Sequence, residues 1–304
     1  MFDINVLSTT EQLTFALRGL YIRNGFSLYR MSKFEEYDLY SKNKDFLISD
    51  SVITFTEAGR LMALKPDVTL SIIKNNKTLK AERMKLCYDE NVYRISKNSG
   101  TFREIMQSGV ECIGSIDVQC LRDTVRLACD SLALVSGGEY ALEITNLDII
   151  TKLISELTDS KYLKKDLFRL IGEKNTHGIR ALCEENGLEG EKLCFVSSLY
   201  GRPDEVIKTL REKLGDGFES EISALENVSG APDNGRIQLD FSAVGDPNYY
   251  NGIIFKGYVR GVPEAVLSGG QYDNLMSKMH RPFSAVGFAV YLELLERYER
   301  RDAE

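Results

Sequence analysis

The sequence of 304 residues has few groups that bind metals. Its six cysteines form no C-x-x-C pair, and its only histidines are His177 and His280. Because structural zinc sites are built from clustered thiol and imidazole ligands, we expect no metal, and no motif indicates another cofactor. Scattered thiols in a chain of this length are typical of a protein in a reducing cytosol.

The chain also lacks a surplus of positive charge. Its formal net charge is -7 and its isoelectric point is about 5.2, so no global basic field attracts nucleic acid. The amino terminus has no basic segment followed by an apolar one, and no apolar run is long enough to span a membrane. We therefore predict a cytoplasmic protein that binds neither a membrane nor nucleic acid.

Common catalytic motifs are missing as well. The sequence has no G-x-x-x-x-G-K-[ST] loop and no G-x-G-x-x-G fingerprint, the two common nucleotide-binding motifs. Neither histidine stands at nucleophile spacing from a cysteine or serine, so a hydrolase triad has no support. The chain has the 43% hydrophobic and 27% charged residues of an ordinary globular protein.

Hydrophobic periodicity predicts an α+β fold. Short alternating runs within 1–147 and 230–304 predict an antiparallel sheet, and a helical period fills almost all of 148–229. We predict a sheet flanked by helices and interrupted by a helical insertion subdomain. The clearest amphipathic helix has apolar residues at steps of three and four: Val118, Leu121, Val125, Ala128 and Leu132.

The stretch 248–275 predicts the floor of a pocket. It reads as a strand, a turn over 257–263 and a returning strand, followed by a break at Gly269 and Gly270, where paired glycines permit close backbone approach. Before the first strand stand Tyr249 and Tyr250. If they are extended, neighbouring side chains point to opposite faces, so that one packs while the other lines a cavity. The alternative is an ordinary hairpin.

Two pairs of polar residues are further candidates. Arg94 and Arg103 flank a polar hairpin tip, where two guanidinium groups can converge on a phosphate or carboxylate or can simply be solvated. Gln107 and Glu111 face the same side of a strand at their spacing. They can bracket an imidazole or an amine, or belong to a buried hydrogen-bond network.

A third candidate lies at a predicted strand-to-helix corner. Pro66 restricts the residue before it to extended geometry and suits the first turn of a helix, which places Asp67 and Thr69 at the corner. The Asp67 carboxylate either holds an amino group of a ligand or caps the helix that follows.

In this order along the chain, these residues resemble the catalytic core of histidyl-tRNA synthetase, a class II synthetase. The segment 64–69 resembles its amino-acid contact, 92–111 its motif 2, and 248–252 its histidine-specific motif. The resemblance covers 1–147 and 235–298. It implies a class II fold with a histidine pocket, whose candidate residues are Asp67, Thr69, Arg94, Arg103, Gln107, Glu111, Tyr249 and Tyr250.

Three positions depart from the synthetase pattern. Ser96 replaces a glutamate of motif 2, while Gly245 and Leu294 replace arginines of the histidine-specific motif and of motif 3. Adenylate formation depends on such cations, and each lost donor typically costs about 2.7–4 kcal/mol of transition-state stabilisation. Tyr291 also replaces a small residue and can fill space that a nucleotide needs. The departures imply that amino-acid activation is lost.

The chain stops shortly after motif 3, so we expect no anticodon-binding domain. A synthetase-like core with these losses resembles the regulatory subunits of ATP phosphoribosyltransferase, as do 177–182 and 199–201. That resemblance implies a non-catalytic subunit that self-associates as a dimer. It also implies assembly with short catalytic subunits into a hetero-octamer, activation of them in the first step of histidine biosynthesis, and allosteric feedback with histidine as effector.

Two alternatives remain open. One is a divergent short class II amino-acid ligase or synthetase-like enzyme that uses Arg94 and Arg103 alone. The other is a tRNA-binding module, for which the basic residues Lys278, His280 and Arg281 are few.

Overall fold

The computed structural model describes residues 6–42, 52–76, 83–95, 100–230 and 235–296. Its helices are α1 (Thr9–Arg23), α2 (Asp38–Ser41), α3 (Val68–Asn75), α4 (Val118–Ser136), α5 (Leu147–Leu157), α6 (Lys161–Gly172), α7 (Thr176–Glu185), α8 (Glu191–Ser197), α9 (Pro203–Leu214), α10 (Glu219–Ser229) and α11 (Asp273–Lys278). Its strands are β1 (Ser27–Leu28), β2 (Phe34–Glu36), β3 (Thr54–Glu57), β4 (Arg60–Leu64), β5 (Met84–Ile95), β6 (Phe102–Gly114), β7 (Tyr140–Asn146), β8 (Tyr200–Gly201), β9 (Ile237–Asp240), β10 (Asn251–Val259), β11 (Leu267–Gln271) and β12 (Ser284–Tyr291).

A nine-stranded sheet forms the centre of the molecule, in the order β1-β5-β6-β12-β11-β10-β7-β9-β8. Its strands pair antiparallel except for β1 with β5 and β7 with β9, which are parallel. A second sheet has the order β2-β4-β3. The predicted α+β fold with a sheet flanked by helices is confirmed, and the two parallel pairs make the large sheet mixed.

Helices α1 and α4 pack against one face of the large sheet. The predicted apolar stripe of α4 is buried from Leu121 to Leu132, but Val118 is exposed because it lies in the first turn, beyond the packed surface. The side chain of Asp117 caps the helix by accepting a hydrogen bond from the Cys120 amide. The helix ends at Gly137, whose left-handed φ of 62° suits glycine.

Helices α5 to α10 share a hydrophobic core with the large sheet. One hydrophobic cluster runs from α4 and the sheet into these helices through residues such as Ile150, Leu210 and Leu225. Two elements of this segment, α8 and β8, escaped prediction, and β8 pairs with β9 at the edge of the large sheet. The division into a core of 1–147 and 230–304 and an insertion subdomain of 148–229 stays a prediction.

The region predicted as a hairpin with a glycine break differs from expectation. Gly269 and Gly270 lie inside β11, so the predicted break is wrong. A side chain on Gly269 would collide with the backbone oxygen of Gly287 on β12. Gly257 lies inside β10 rather than in a turn, and its missing side chain leaves room for Leu132 of α4. These glycines allow close packing within the sheet instead of ending it.

Two further findings concern the described residues alone. None of their helices combines the length and apolar character needed to cross a membrane. They also contain no group of three or more histidine, cysteine, aspartate or glutamate side chains placed to hold a metal ion.

Candidate functional site

A cavity of about 160 Å³, lined by both polar and apolar side chains, lies between α3, the turn before β10 and the strands β5, β6, β11 and β12. This volume suits a small molecule rather than a single water. It is lined by Asp67, Val68, Thr69, Tyr88, Arg94, Gln107, Glu111, Asp246, Tyr249, Tyr250, Ser268, Tyr272, Gly287, Phe288, Ala289 and Tyr291. The structure therefore brings together all of the predicted pocket residues except Arg103.

Glu111 lines the cavity and is 2% exposed. Its Oε1 accepts a hydrogen bond from the Thr69 hydroxyl at 2.6 Å, and its Oε2 accepts one from the Tyr272 hydroxyl at 2.5 Å. Burial raises the pKa of Glu111 to about 7, because the loss of hydration outweighs these two hydrogen bonds. The carboxyl group therefore titrates near neutral pH.

Two glycines make room for the large side chains of the cavity. A side chain on Gly287 of β12 would collide with Oε2 of Glu111. A Cβ on Gly109 of β6 would lie 2.6 Å from the Tyr88 hydroxyl oxygen and 2.5 Å from the Phe288 backbone oxygen. Gly287 pairs with Glu111 of the neighbouring strand, and Gly109 pairs with Tyr88. Because neither glycine has a side chain, the Glu111 carboxylate and the Tyr88 ring can occupy the space beside them.

Asp67 combines both roles that its sequence position allows. It is the N-cap residue of α3, with Oδ1 accepting a hydrogen bond from the Leu70 amide at 2.9 Å, and it also lines the cavity. Burial raises the pKa of Asp67, while the cap hydrogen bond and the charges of Arg94 and Lys65 oppose this rise. Arg94 is held beside it by a hydrogen bond from Nε to the Pro66 carbonyl oxygen at 3.0 Å.

Tyr249 and Tyr250 are both candidate pocket residues and both line the cavity, whereas strand alternation alone predicts that only one of them does. They lie in the turn before β10, where the alternation of an extended strand does not apply. Their ring centroids are 4.6 Å apart, and Tyr249 lies 6.1 Å from Tyr272. Burial raises the pKa of both well above the ordinary value, so both hydroxyls stay protonated and can donate hydrogen bonds.

The expected convergence of Arg94 and Arg103 does not occur. The two residues are direct partners in the β5–β6 ladder, but only Arg94 lines the cavity. Nη2 of Arg103 instead lies 2.5 Å from Oε1 of Glu293. The Arg103 side chain is thus directed to the segment that follows β12.

Sequence reasoning missed Tyr272, which binds the Glu111 carboxylate directly. Tyr272 directly follows β11 and stands two positions after Gly270. An alternating strand pattern continued past the glycines could therefore have found it. Tyr88, Ser268 and Asp246 were also missed. These three had no distinctive spacing to the predicted residues.

The three departures from the synthetase pattern have different surroundings. Ser96 lies outside the described residues. A Cβ on Gly245 would lie 2.9 Å from Cδ2 of Tyr250, so a larger residue there requires this ring to move. Leu294 packs against the large hydrophobic cluster, and Tyr291 lines the cavity.

Carboxyl groups outnumber cations among the residues that line the cavity, which is called the acidic cavity below. Among its lining residues, Asp67, Asp246 and Glu111 carry carboxyl groups, whereas Arg94 is the only cation. Such a site attracts an ammonium or imidazolium group, whereas only the positive charge of Arg94 would offset the negative charge of a phosphate. The site therefore suits a small zwitterion or cation better than a nucleotide.

The comparison with protein-family models defines the class of this protein. The model described as histidyl-tRNA synthetase matches residues 6–295, so the chain belongs to the histidyl-tRNA synthetase family. The predicted class II synthetase-like fold is confirmed by a structure titled ATP phosphoribosyltransferase regulatory subunit/histidyl-tRNA synthetase from Bacillus halodurans. It superimposes with a TM-score of 0.84 at 23% identity, covering 98% of this chain and 82% of that one.

Within this class, curated relatives are regulatory subunits. The ATP phosphoribosyltransferase regulatory subunit of Clostridium botulinum strain 657 is 28% identical over 291 residues, which cover 91% of this chain and 69% of the relative. The structure of the ATP phosphoribosyl transferase (HisG:HisZ) complex from Thermotoga maritima has a TM-score of 0.75 at 18% identity, covering 93% of this chain and 97% of that one. The predicted resemblance to these regulatory subunits is confirmed.

Proposed function

We propose that this chain is the regulatory subunit of a cytoplasmic ATP phosphoribosyltransferase. In this role it has no catalytic activity of its own, associates with itself as a dimer and joins short catalytic subunits in a hetero-octamer. It enables their activity in the first step of histidine biosynthesis and takes part in inhibition by histidine. The name of the relative that is similar over 91% of this chain supports the assignment.

The composition of the cavity is the structural observation that carries the proposal. The predicted amino-acid contacts Asp67, Gln107 and Glu111 are buried together, and Arg94 is the single cation among the lining residues. Adenylate formation places negative charge on phosphate oxygens, and preorganised cations stabilise that charge. A site with one such cation favours binding of an amino acid over its activation.

The polar groups suggest how histidine is held. Asp67 is suited to the α-ammonium group, and Arg94 beside it is suited to the carboxylate. Glu111 and the tyrosine hydroxyls offer hydrogen-bond partners for the imidazole ring. Histidine bound in this way can regulate a partner only if its affinity differs between the active and inactive assemblies.

The decisive experiment measures phosphoribosyl-ATP formation by a short catalytic subunit from the same genome. The rate is compared with and without this chain, and histidine is titrated in each case. We expect activity to rise strongly when the chain is present and to fall as histidine is added. A catalytic subunit whose rate is unaffected by the chain would contradict the proposal.

A matched pair of variants tests whether the cavity is the histidine site. Glu111→Gln removes the charge of the buried carboxylate, whereas Glu104→Gln makes the same change at an exposed position of the same strand. We expect the first variant to weaken inhibition by histidine at least about tenfold and the second to leave it unchanged. Equal inhibition of both variants would place the effector site elsewhere.

The absence of catalysis has a separate test. Purified chain is incubated with ATP, magnesium, histidine and labelled pyrophosphate. We expect no histidine-dependent exchange of label into ATP. Exchange with histidine, or with another amino acid, would favour the alternative of a short class II ligase that uses Arg94.

A further inference from the structure

Two cysteine thiols face each other on the side of the sheet opposite the acidic cavity. Sγ of Cys112 on β6 lies 3.2 Å from Sγ of Cys120 in the first turn of α4. A disulfide has an S–S length of about 2.05 Å, so the two atoms need to approach by only about 1.1 Å. The pair is independent of the function proposed above.

A separate small cavity gives access to these thiols. It has a volume of about 160 Å³, and its lining includes both cysteines together with Asn24, Lys85 and Arg126. Asn24 and Arg126 are exposed at its rim, whereas Cys112 and Cys120 are 1% and 3% exposed. An oxidant of two heavy atoms fits such a space, which holds several water-sized molecules.

The surroundings of Cys120 favour its thiolate. The contact with Cys112, in which either thiol can donate the hydrogen bond, and nearby Arg83 lower the pKa of Cys120 against the effect of burial. Lys85 is the direct partner of Cys112 in the β5–β6 ladder, and both line the small cavity. The start of a helix and neighbouring cations are the features that typically activate a cysteine.

We propose that Cys112 and Cys120 form a peroxide-sensitive pair that closes to a disulfide. The Cys120 thiolate attacks one oxygen of hydrogen peroxide, the O–O bond breaks, and sulfenic acid and hydroxide form. The sulfur of Cys112 then attacks the sulfur of Cys120 and releases a second hydroxide. The initial proton of each thiol ends in water, so two thiols and one peroxide give one disulfide and two waters.

The location gives the modification a structural consequence. Cys112 directly follows Glu111, whose carboxylate lies in the acidic cavity on the other face of β6. The disulfide therefore anchors the backbone next to that carboxylate to the start of α4.

The test counts thiols in the native full chain before and after hydrogen peroxide. After denaturation and alkylation, we expect the number of alkylated cysteines to fall from six to four. Trypsin leaves both cysteines in the peptide 104–122, and cleavage before Asp117 separates them, so mass spectrometry identifies the bond directly. Six alkylated thiols, or a bond to any other cysteine, would overturn the proposal.

Three single variants sharpen the assignment. Cys112→Ser should accumulate a sulfenic acid on Cys120 that dimedone captures, and Cys120→Ser should lose no thiols. Cys129→Ser, which changes another buried cysteine of α4, should still lose two. Dimedone labelling at a different cysteine, or thiol loss in the Cys120 variant at the wild-type rate, would contradict the mechanism.

Discussion

One face of strand β6 buries polar side chains in the acidic cavity, and the other face buries apolar side chains in the hydrophobic core. Gln107 and Glu111 point into the acidic cavity, where their polar groups are buried. Val110 and Cys112 point the other way, into the large hydrophobic cluster beneath α1 and α4. Burial stabilises the apolar face directly, whereas each polar group on the cavity face needs a partner to offset lost hydration. The cavity face is therefore maintained by specific contacts, and the other by packing.

The largest expected effect concerns the apolar face. Leu132 of α4 is fully buried and fills the space over Gly257. Leu132→Ala should lower the free energy of unfolding by about 2–5 kcal/mol, because it removes apolar contacts and leaves a cavity. Urea unfolding measures this change. Histidine affinity of the folded variant should stay at the wild-type value, and a large loss of affinity would show that the two faces are not separable.

The next prediction tests the buried charge of the cavity face through pH. The pKa of Glu111 is raised to about 7, so the folded state holds the proton more tightly than the unfolded state. Stability should then fall as the pH rises from about 4.5 to 7 and level off above, by up to about 3 kcal/mol. Glu111→Gln should lack this part of the pH dependence.

The measurement is urea unfolding of both proteins across that pH range. The difference between wild type and Glu111→Gln cancels contributions from other groups that titrate alike in both. A difference that is constant with pH would show that Glu111 is ionised throughout.

A third prediction tests Gly287 of β12, whose missing side chain leaves room for Glu111 on the cavity face of β6. Gly287→Ala places a methyl group where Oε2 of Glu111 lies. It should lower stability by about 1–3 kcal/mol, as overpacking typically does, and should abolish histidine binding. Urea unfolding and calorimetric titration check the two effects. The matched control is Gly217→Ala, since no atom lies within 4 Å of a Cβ there, and it should leave both properties nearly unchanged.

The smallest expected effect is the loss of one hydrogen bond. Tyr272→Phe removes the donor to Oε2 of Glu111 and should cost about 1 kcal/mol of stability. It should also raise the pKa of Glu111 further, because that hydrogen bond stabilises the carboxylate. The pH dependence of unfolding detects this shift. Tyr162→Phe is the control, since Tyr162 is 85% exposed, and an equal effect of both changes would contradict the assignment.

Local patterns along the chain predicted much of the fold. The amphipathic stripe of α4 depends on residues three or four apart, and the structure buries it from Leu121 to Leu132. The same-side placement of Gln107 and Glu111 also follows from strand periodicity alone. Predictions failed where the reason lay in a distant segment, as at Gly269, which is required by contact with β12.

The order of residues along the chain already contains the chemical groups of the cavity and the family to which the chain belongs. Which of these groups meet in space depends on the folded arrangement of distant segments. Tyr272 meets Glu111 across 161 residues of chain, and Arg103 is directed to Glu293 instead of joining Arg94. Both outcomes depend on the register between β6, β11 and β12, which long-range packing sets and local propensity does not encode.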